Sequence, residues 1–186
     1  MKGRVRADLW NEALAAHEAG RIRTVEVRGS DYLGAGATST ATVRMLSAVR
    51  AGKPALVPAN LAAAHSWTAT DDVARTLIAA ADDETAWGRA WHVPTAAPVS
   101  VRALADIAAN VASTAPARVR RMPAAVLWMA GLFNADAREL RETRYQFDRP
   151  FVLDSTAATA KFGLEPTSTE AAVRATFATL PTAARR

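Results

Sequence analysis

Few side chains in this chain have a type and spacing that could support catalysis or metal binding. The three histidines, His17, His65 and His92, are scattered and form no cluster with metal-ligand spacing. Asp71 and Asp72 are adjacent, but at the start of a predicted helix one carboxylate suits an N-cap and the other the positive end of the helix dipole. We therefore predict that this acidic pair begins a helix and that the chain has no metal site.

Several common site motifs are absent from the sequence. There is no cysteine, which excludes disulfides, thiolate catalysis and Cys-ligated metal centres. The nine glycines form neither Gly-x-x-Gly-x-x-Gly nor Gly-x-Gly-x-x-Gly, the turns that bring backbone N–H groups to a dinucleotide pyrophosphate. A Gly-x-Ser-x-Gly nucleophile elbow is also absent. We expect this chain alone to bind no dinucleotide cofactor.

The composition is typical of one folded domain with a basic surface. Of the 186 residues, 50% are apolar and 22% are charged, the net charge is +5 and the pI is about 10.4. The arginines are spread along the chain, apart from Arg118, Arg120 and Arg121 and the terminal pair Arg185–Arg186. Since no aromatic stacking motif accompanies them, we expect a solvated basic surface and no specific nucleic-acid partner.

The sequence shows no sign of a membrane segment. Its start is charged and has no apolar core, unlike a signal peptide. The longest apolar run, Pro123–Phe133, has about half the length that a membrane-spanning helix needs. With the lack of cysteine, these features predict a soluble, cytoplasmic protein.

Hydrophobic periodicity predicts helices that alternate with short strands, an α/β or α+β pattern. Predicted helices cover residues 4–19, 40–51, 70–81, 100–112, an apolar stretch opened by Pro123, 135–145, 155–161 and 168–179. Predicted strands cover residues 23–28, 55–58, 65–69, 90–93, 118–121 and 151–153. The helix over residues 70–81 is predicted to bury Val73, Leu77 and Ile78, and Ser100 is predicted to cap the helix that follows it.

Four segments in order carry a resemblance to a known family. Lys2-Gly-Arg-Val-Arg-Ala7 opens a helix, and the next strand ends in Arg28-Gly-Ser-Asp-Tyr-Leu-Gly-Ala-Gly36. His65-Ser-Trp-Thr-Ala-Thr-Asp-Asp-Val-Ala74 leads into a helix, and Ala90-Trp-His-Val-Pro94 precedes Ser100-Val-Arg-Ala-Leu104. From Lys2 to about Thr179, their order and spacing resemble the second half of the extended short-chain dehydrogenases, the NAD(P)-dependent epimerase/dehydratase family.

The resemblance implies a catalytic and cofactor-binding role for Lys2. In this family a Tyr-x-x-x-Lys pair carries the chemistry: the lysine hydrogen-bonds the nicotinamide ribose, and its charge lowers the pKa of the tyrosine. Lys2 stands at the matching position, and the tyrosine would lie four residues upstream, before Met1. A solvated lysine is the alternative interpretation.

Further positions match the family's cofactor and substrate contacts. Arg28, Gly29 and Ser30 fall where the backbone approaches the nicotinamide carboxamide, a close approach that suits a residue without a bulky side chain. An ordinary strand-to-loop turn is the alternative there. Candidate substrate contacts are Tyr32, His65, Trp67 and Tyr145, each of which could instead be a packing residue.

His65 bears on the substrate class. It lies seven residues before Asp72, where family members that act on nucleotide sugars place an arginine on the substrate diphosphate. A neutral imidazole is a poor substitute for a permanently charged, bidentate guanidinium. We therefore do not expect a nucleotide-sugar substrate.

The resemblance implies an α/β fold: the second half of a Rossmann-like parallel sheet plus a small, mostly helical substrate lobe. We expect residues 1–60 to be the residual Rossmann part and residues 61–186 mainly the substrate lobe, with the N-terminal dinucleotide-binding half absent. The full-length family uses NAD or NADP for hydride transfer at a hydroxyl-bearing carbon. We expect the isolated chain to be inactive and to self-associate through exposed apolar surface. A non-catalytic remnant or basic interaction module is the alternative.

Overall fold

The computed structural model describes residues 2–37, 40–133 and 144–180. The helices are α1 (Lys2–Glu18), α2 (Thr40–Arg50), α3 (Thr70–Asp82), α4 (Val101–Val111), α5 (Ala124–Phe133), α6 (Thr156–Phe162) and α7 (Thr169–Thr179), with a short 3₁₀ turn at Glu84–Ala86. The strands are β1 (Glu26–Arg28), β2 (Asp31–Leu33), β3 (Ala55–Val57), β4 (Ala64–His65), β5 (Trp67–Ala69), β6 (Ala90–His92), β7 (Val99–Ser100) and β8 (Val119–Arg121). Residues 144–148 are also helical.

The strands pair mainly in parallel across long stretches of sequence. β1 pairs with β6, β2 with β5 and β3 with β8, all in parallel, whereas β4 and β7 are antiparallel. Parallel neighbours need a crossover connection, and helices lie between the members of these pairs. This arrangement confirms the predicted α/β class. The division of the chain at residue 60 stays a prediction, and each of the three parallel pairs joins strands from its two sides.

The main core lies between the β2–β5 and β3–β8 pairs and helices α2, α4 and α7. Its fully buried side chains include Leu33, Leu46, Leu104 and Val173. α4 begins as predicted, because the Ser100 hydroxyl accepts a hydrogen bond from the N–H of Ala103 at 3.1 Å. A smaller core cluster forms around Trp91, where α6 packs on β6.

The predicted inner face of α3 is wrong. Leu77 and Ile78 are 45% and 64% exposed, and the buried positions are instead Asp72, Thr76 and Ala80. The acidic pair lies in the first turn of α3, as predicted, but neither carboxylate is the N-cap. The N-cap residue is Ala69, whose side chain makes no cap hydrogen bond, and the buried Asp72 carboxylate accepts a hydrogen bond from the distant Thr167.

Helix α1 is present as predicted, but its apolar residues are not all covered. Val5 and Leu9 are exposed, whereas Trp10 and Leu14 are half-buried. The helix predicted over residues 135–145 lies almost entirely outside the described residues. Among the residues that the structure describes, no helix combines the length and apolar character needed to cross a membrane.

Candidate functional site

The carboxyl ends of β1 and β6 lie side by side and position Arg28, Gly29 and Ser30, the predicted cofactor contacts. Arg28 is the register partner of His92, and the Val93 N–H donates to the Arg28 carbonyl at 2.9 Å just beyond it. In open parallel sheets, ligands bind at this edge, outside the carboxyl ends of the strands. The Arg28 guanidinium is paired with the Glu26 carboxylate of the same strand, with Nε and Oε2 2.8 Å apart.

The turn after β1 brings the Tyr32 ring against the backbone of Gly29. A Cβ on residue 29 would lie 2.7 Å from Cε1 of Tyr32 and 3.2 Å from Cγ2 of Thr68. A side chain at position 29 would therefore have to displace the Tyr32 ring, and this close approach favours glycine. Tyr32 itself is 40% exposed.

Hydrogen bonds through two threonine hydroxyls connect β5 to the segments that follow β1 and β6. The Ser30 N–H donates to Thr68 Oγ1 at 2.9 Å, and Thr68 Oγ1 lies 3.1 Å from Thr95 Oγ1. The Thr95 hydroxyl donates to the Val93 carbonyl at 2.8 Å, so its proton is used and Thr68 must be the donor between the two hydroxyls. The Ser30 hydroxyl is buried and has no hydrogen-bond partner among the described residues. It is the polar group of this cluster whose hydrogen-bonding capacity is unused among the described residues.

A histidine–aspartate pair, with a buried histidine and a partly exposed aspartate, links the end of β4 to the start of β2. His65 is 2% exposed, and its Nε2 lies 2.7 Å from Oδ2 of Asp31. The rings of Phe147 and Phe151 stack on the imidazole at centroid distances of 5.0 and 5.5 Å, and Trp67 lies 4.5 Å away at a tilt. The imidazole is thus enclosed by three aromatic rings and hydrogen-bonded at one nitrogen.

The other predicted site residues have varied surroundings. Trp67 is buried, and its Nε1 donates to the carbonyl of Val99 at 2.9 Å. Tyr145 is 66% exposed in the helical residues 144–148. The Lys2 residue begins α1, and its side chain lies outside the described part of the structure.

The turn after β1 holds Gly29, Ser30 and Tyr32 close together. His65 contacts Trp67 and, through its hydrogen bond, Asp31 next to that turn. Sequence reasoning missed Thr68, Thr95 and Asp31, which hold this turn in place. Thr68 and Asp31 lie inside the quoted motifs, and Thr95 follows the end of β6 by three residues. Asp31 and Thr95 each follow the carboxyl end of a parallel strand by three residues, β1 and β6, and this position is the signal that could have identified them.

A shallow groove of about 620 Å³ lies next to this edge, lined by Val152, Leu153, Asp154, Ser155, Thr156, Thr159 and Ala160. Two hydrogen bonds join the groove to β6 and to the segment after it. The Asp154 carbonyl lies 2.8 Å from Nδ1 of His92, and the Thr95 N–H donates to Ser155 Oγ at 3.2 Å. Hydrogen bonds from the hydroxyl and the N–H of Thr156 lower the pKa of the Asp154 carboxyl below its ordinary value. No group of three or more acidic or histidine side chains within the described ranges could hold a metal ion.

Comparison with solved structures identifies the same fold in several enzymes. An epimerase from Methanothermobacter thermautotrophicus matches with a TM-score of 0.69 and 17% identity, over 90% of this chain and 46% of the epimerase. A UDP-glucuronic acid 4-epimerase from Bacillus cereus, solved with UDP-glucuronic acid and NAD, matches with a TM-score of 0.66 and 15% identity, over 89% and 47% of the two chains. RMD from Pseudomonas aeruginosa, solved with NADPH, matches with a TM-score of 0.65 and 13% identity, over 91% and 52%.

These similarities show a shared fold at low sequence identity. The present chain spans about half the length of these three solved proteins. No family model and no curated protein matches the sequence. The predicted fold, a partial Rossmann-like α/β arrangement shared with epimerases, is confirmed.

Proposed function

We propose that this chain is the substrate-side part of an NAD(P)-dependent epimerase/dehydratase or oxidoreductase. The whole enzyme acts on a hydroxyl-bearing carbon of a small molecule in this proposal, and the chain by itself is inactive. The observation that carries the proposal is the fold shared with epimerases over about half of their length. The free edge of β1 supports it. Within the described residues β1 pairs only with β6, and parallel strands are normally enclosed within larger sheets.

The residues at the strand ends fit the nicotinamide end of the cofactor. The Ser30 hydroxyl is buried and without a partner among the described residues, so it can donate to a carboxamide oxygen or accept from its N–H. Gly29 has no side chain over its backbone, and a ligand there would have to displace the Tyr32 ring. When bound, the cofactor would supply a hydride acceptor or donor. The chain offers no glycine-rich turn for the pyrophosphate, so binding of the whole dinucleotide would depend on another segment.

Support for a substrate without a nucleotide diphosphate comes from His65. Its imidazole is enclosed by aromatic rings and hydrogen-bonded to Asp31, so it offers no bidentate cation to a diphosphate. In this proposal His65 contributes by holding Asp31 and the turn that carries Tyr32. Tyr32 and the exposed Tyr145 are then the phenols available to contact a substrate.

The test begins with the genomic DNA upstream of the Met1 codon. An in-frame Gly-x-x-Gly-x-x-Gly and a tyrosine four residues before Lys2 are expected, and the protein expressed from that longer frame should exchange hydride between NAD(P)H and a hydroxyl or carbonyl substrate. If the upstream frame encodes no such turn, the chain is a non-catalytic remnant or interaction module. Calorimetric titration of the 186-residue chain gives a second readout: dissociation constants for NAD(H) and NADP(H) should be weaker than about 0.1 mM.

A further inference from the structure

A second groove lies on the β3–β8 pair, away from the candidate site. It encloses about 680 Å³ and is lined by Pro54, Ala55, Leu56, Arg102, Ala117, Arg118, Val119 and Arg120. Three of these eight residues carry a guanidinium and none carries a carboxylate. The groove shares no lining residue with the candidate site or with the groove beside Asp154.

Strand geometry explains why the arginines converge. Side chains alternate along a strand, so Arg118 and Arg120 point to one side of β8 while the buried Val119 points to the other. Leu56 is the register partner of Arg120, and its exposed side chain also lines the groove. Arg102 projects into the same groove from the first turn of α4.

Among the residues that the structure describes, no carboxylate pairs with the charges in this groove. Arg118 Nη2 donates to the Gly52 carbonyl at 2.9 Å, which fixes the guanidinium without neutralising it. Within the described ranges, Arg102 and Arg120 form no ion pair. Arg121, on the opposite side of the same strand, is paired with Asp148 at 2.8 Å. Three positive charges thus line one concavity, and no acidic side chain lines it.

We propose that this groove binds a small phosphorylated molecule. A guanidinium presents a fixed fork of N–H donors that matches phosphate oxygens, and charge-assisted hydrogen bonds of this kind are stronger than neutral ones. The volume lies in the range of small-molecule sites, and Pro54, Leu56 and Ala117 provide an apolar wall for the rest of the ligand. A nucleic acid fits less well, because the basic groups lie in a concavity without an aromatic residue in its lining. The site is independent of the proposed hydride-transfer function.

The experiment uses inorganic pyrophosphate as the probe, titrated calorimetrically at an ionic strength of about 0.15 M, where exposed charges are largely screened. Saturable binding is expected, and Arg102→Ala combined with Arg120→Ala should weaken it about tenfold or more. Arg121→Ala is the matched control: it removes one positive charge from the same strand but outside the groove, and should change binding by less than about twofold. Since all three arginines are exposed, the variants should fold, and unchanged circular dichroism verifies this. If the double variant does not fold, the single variants Arg102→Gln and Arg120→Gln replace it.

Three results would overturn the proposal. The first is no pyrophosphate binding at this ionic strength. The second is an equal loss in Arg121→Ala, which would mean that net charge alone attracts the anion. The third is that a 16-base-pair DNA duplex binds at the same salt concentration with the same dependence on Arg102 and Arg120, which would assign the groove to nucleic acid.

Discussion

The carboxylate of Asp72 joins helix α3 to Thr167, a residue 95 positions later in the chain. Its Oδ2 accepts from the Thr167 N–H at 2.7 Å, and its Oδ1 accepts from the Thr167 hydroxyl at 2.7 Å. Arg75 completes the arrangement, since its guanidinium pairs with the same carboxylate and donates to the Glu165 carbonyl at 3.0 Å. A buried charge is thus fully hydrogen-bonded, and it fixes the loop before α7 on α3.

The first prediction is that Asp72→Ala destabilises the protein strongly while Asp71→Ala does not. Removing the Asp72 carboxylate leaves the partly buried N–H and hydroxyl of Thr167 without their acceptor, which costs on the order of 1–3 kcal/mol. Asp71 is exposed on the same helical turn, so its loss should change the free energy of unfolding by less than about 0.5 kcal/mol. Urea denaturation of the two variants measures the difference. Equal destabilisation would mean that the two carboxylates act through the helix dipole alone.

The same helix shows where sequence patterns are informative and where they fail. Seven of the eight predicted helices and the Ser100 cap follow from local periodicity and capping chemistry and are confirmed, whereas the helix over residues 135–145 stays a prediction. The prediction of the buried face of α3 was wrong because Asp72 and Thr76 are buried there. Such polar side chains are buried together with hydrogen-bond partners, and the partner of Asp72 lies in a distant segment. An apolar pattern over thirteen residues contains no information about such a partner.

The candidate site was predictable to a similar extent. Motif resemblance located the turn around Gly29 and Ser30, because the strand before it and the spacing to His65 are local features of the sequence. The contacts of Thr68 and Thr95 with that turn depend on which strands are neighbours in the sheet. Strand order arises from long-range pairing, which one sequence read by itself does not provide.

The second prediction concerns the exposed apolar pair Leu77 and Ile78. We expect the protein to self-associate as its concentration rises, because exposed side chains of this size are favourable to bury against a second surface. Leu77→Gln combined with Ile78→Gln should shift the molecular mass from light scattering toward the monomer. As a control, Ala74→Gln with Ala81→Gln alters two other exposed positions of α3 and should leave association unchanged. A wild-type protein that stays monomeric at all concentrations would contradict this expectation.

The third prediction is a pH effect at Asp83. Hydrogen bonds from the Lys161 ammonium and from Thr85 lower the pKa of Asp83 from 3.8 to about 2. Because the folded pKa is depressed, this carboxylate contributes stability that is present above pH 3.8 and is lost as the pH falls through about 2. Lys161→Met should raise the pKa of Asp83 toward 3.8, as followed by NMR of its carboxyl carbon. Lys53→Met, a lysine outside this cluster, is the control, and an Asp83 titration that is the same in both variants would show that Lys161 does not lower the pKa.

The last prediction tests the assignment of Lys2 in the protein expressed from the longer upstream frame. If Lys2 matches the family's catalytic lysine, Lys2→Ala removes the charge that depresses the tyrosine pKa and the hydrogen bonds to the ribose. Activity should fall by a factor of roughly 10² or more, as when support for general acid–base catalysis is lost. The pH optimum should move upward, since the phenol would ionise nearer its unperturbed pKa of about 10.

Lys53→Ala and Lys161→Ala serve as controls for this experiment, because neither lysine matches a family position. Both should leave turnover and the pH profile nearly unchanged, although Lys161→Ala removes the ion pair with Asp83. Steady-state rates across pH 6 to about 10 separate the outcomes, because a merely structural role for Lys2 would lower the rate without moving the optimum. Should Lys2→Ala retain both turnover and pH optimum, Lys2 is a surface lysine and the alignment at the N-terminus is wrong.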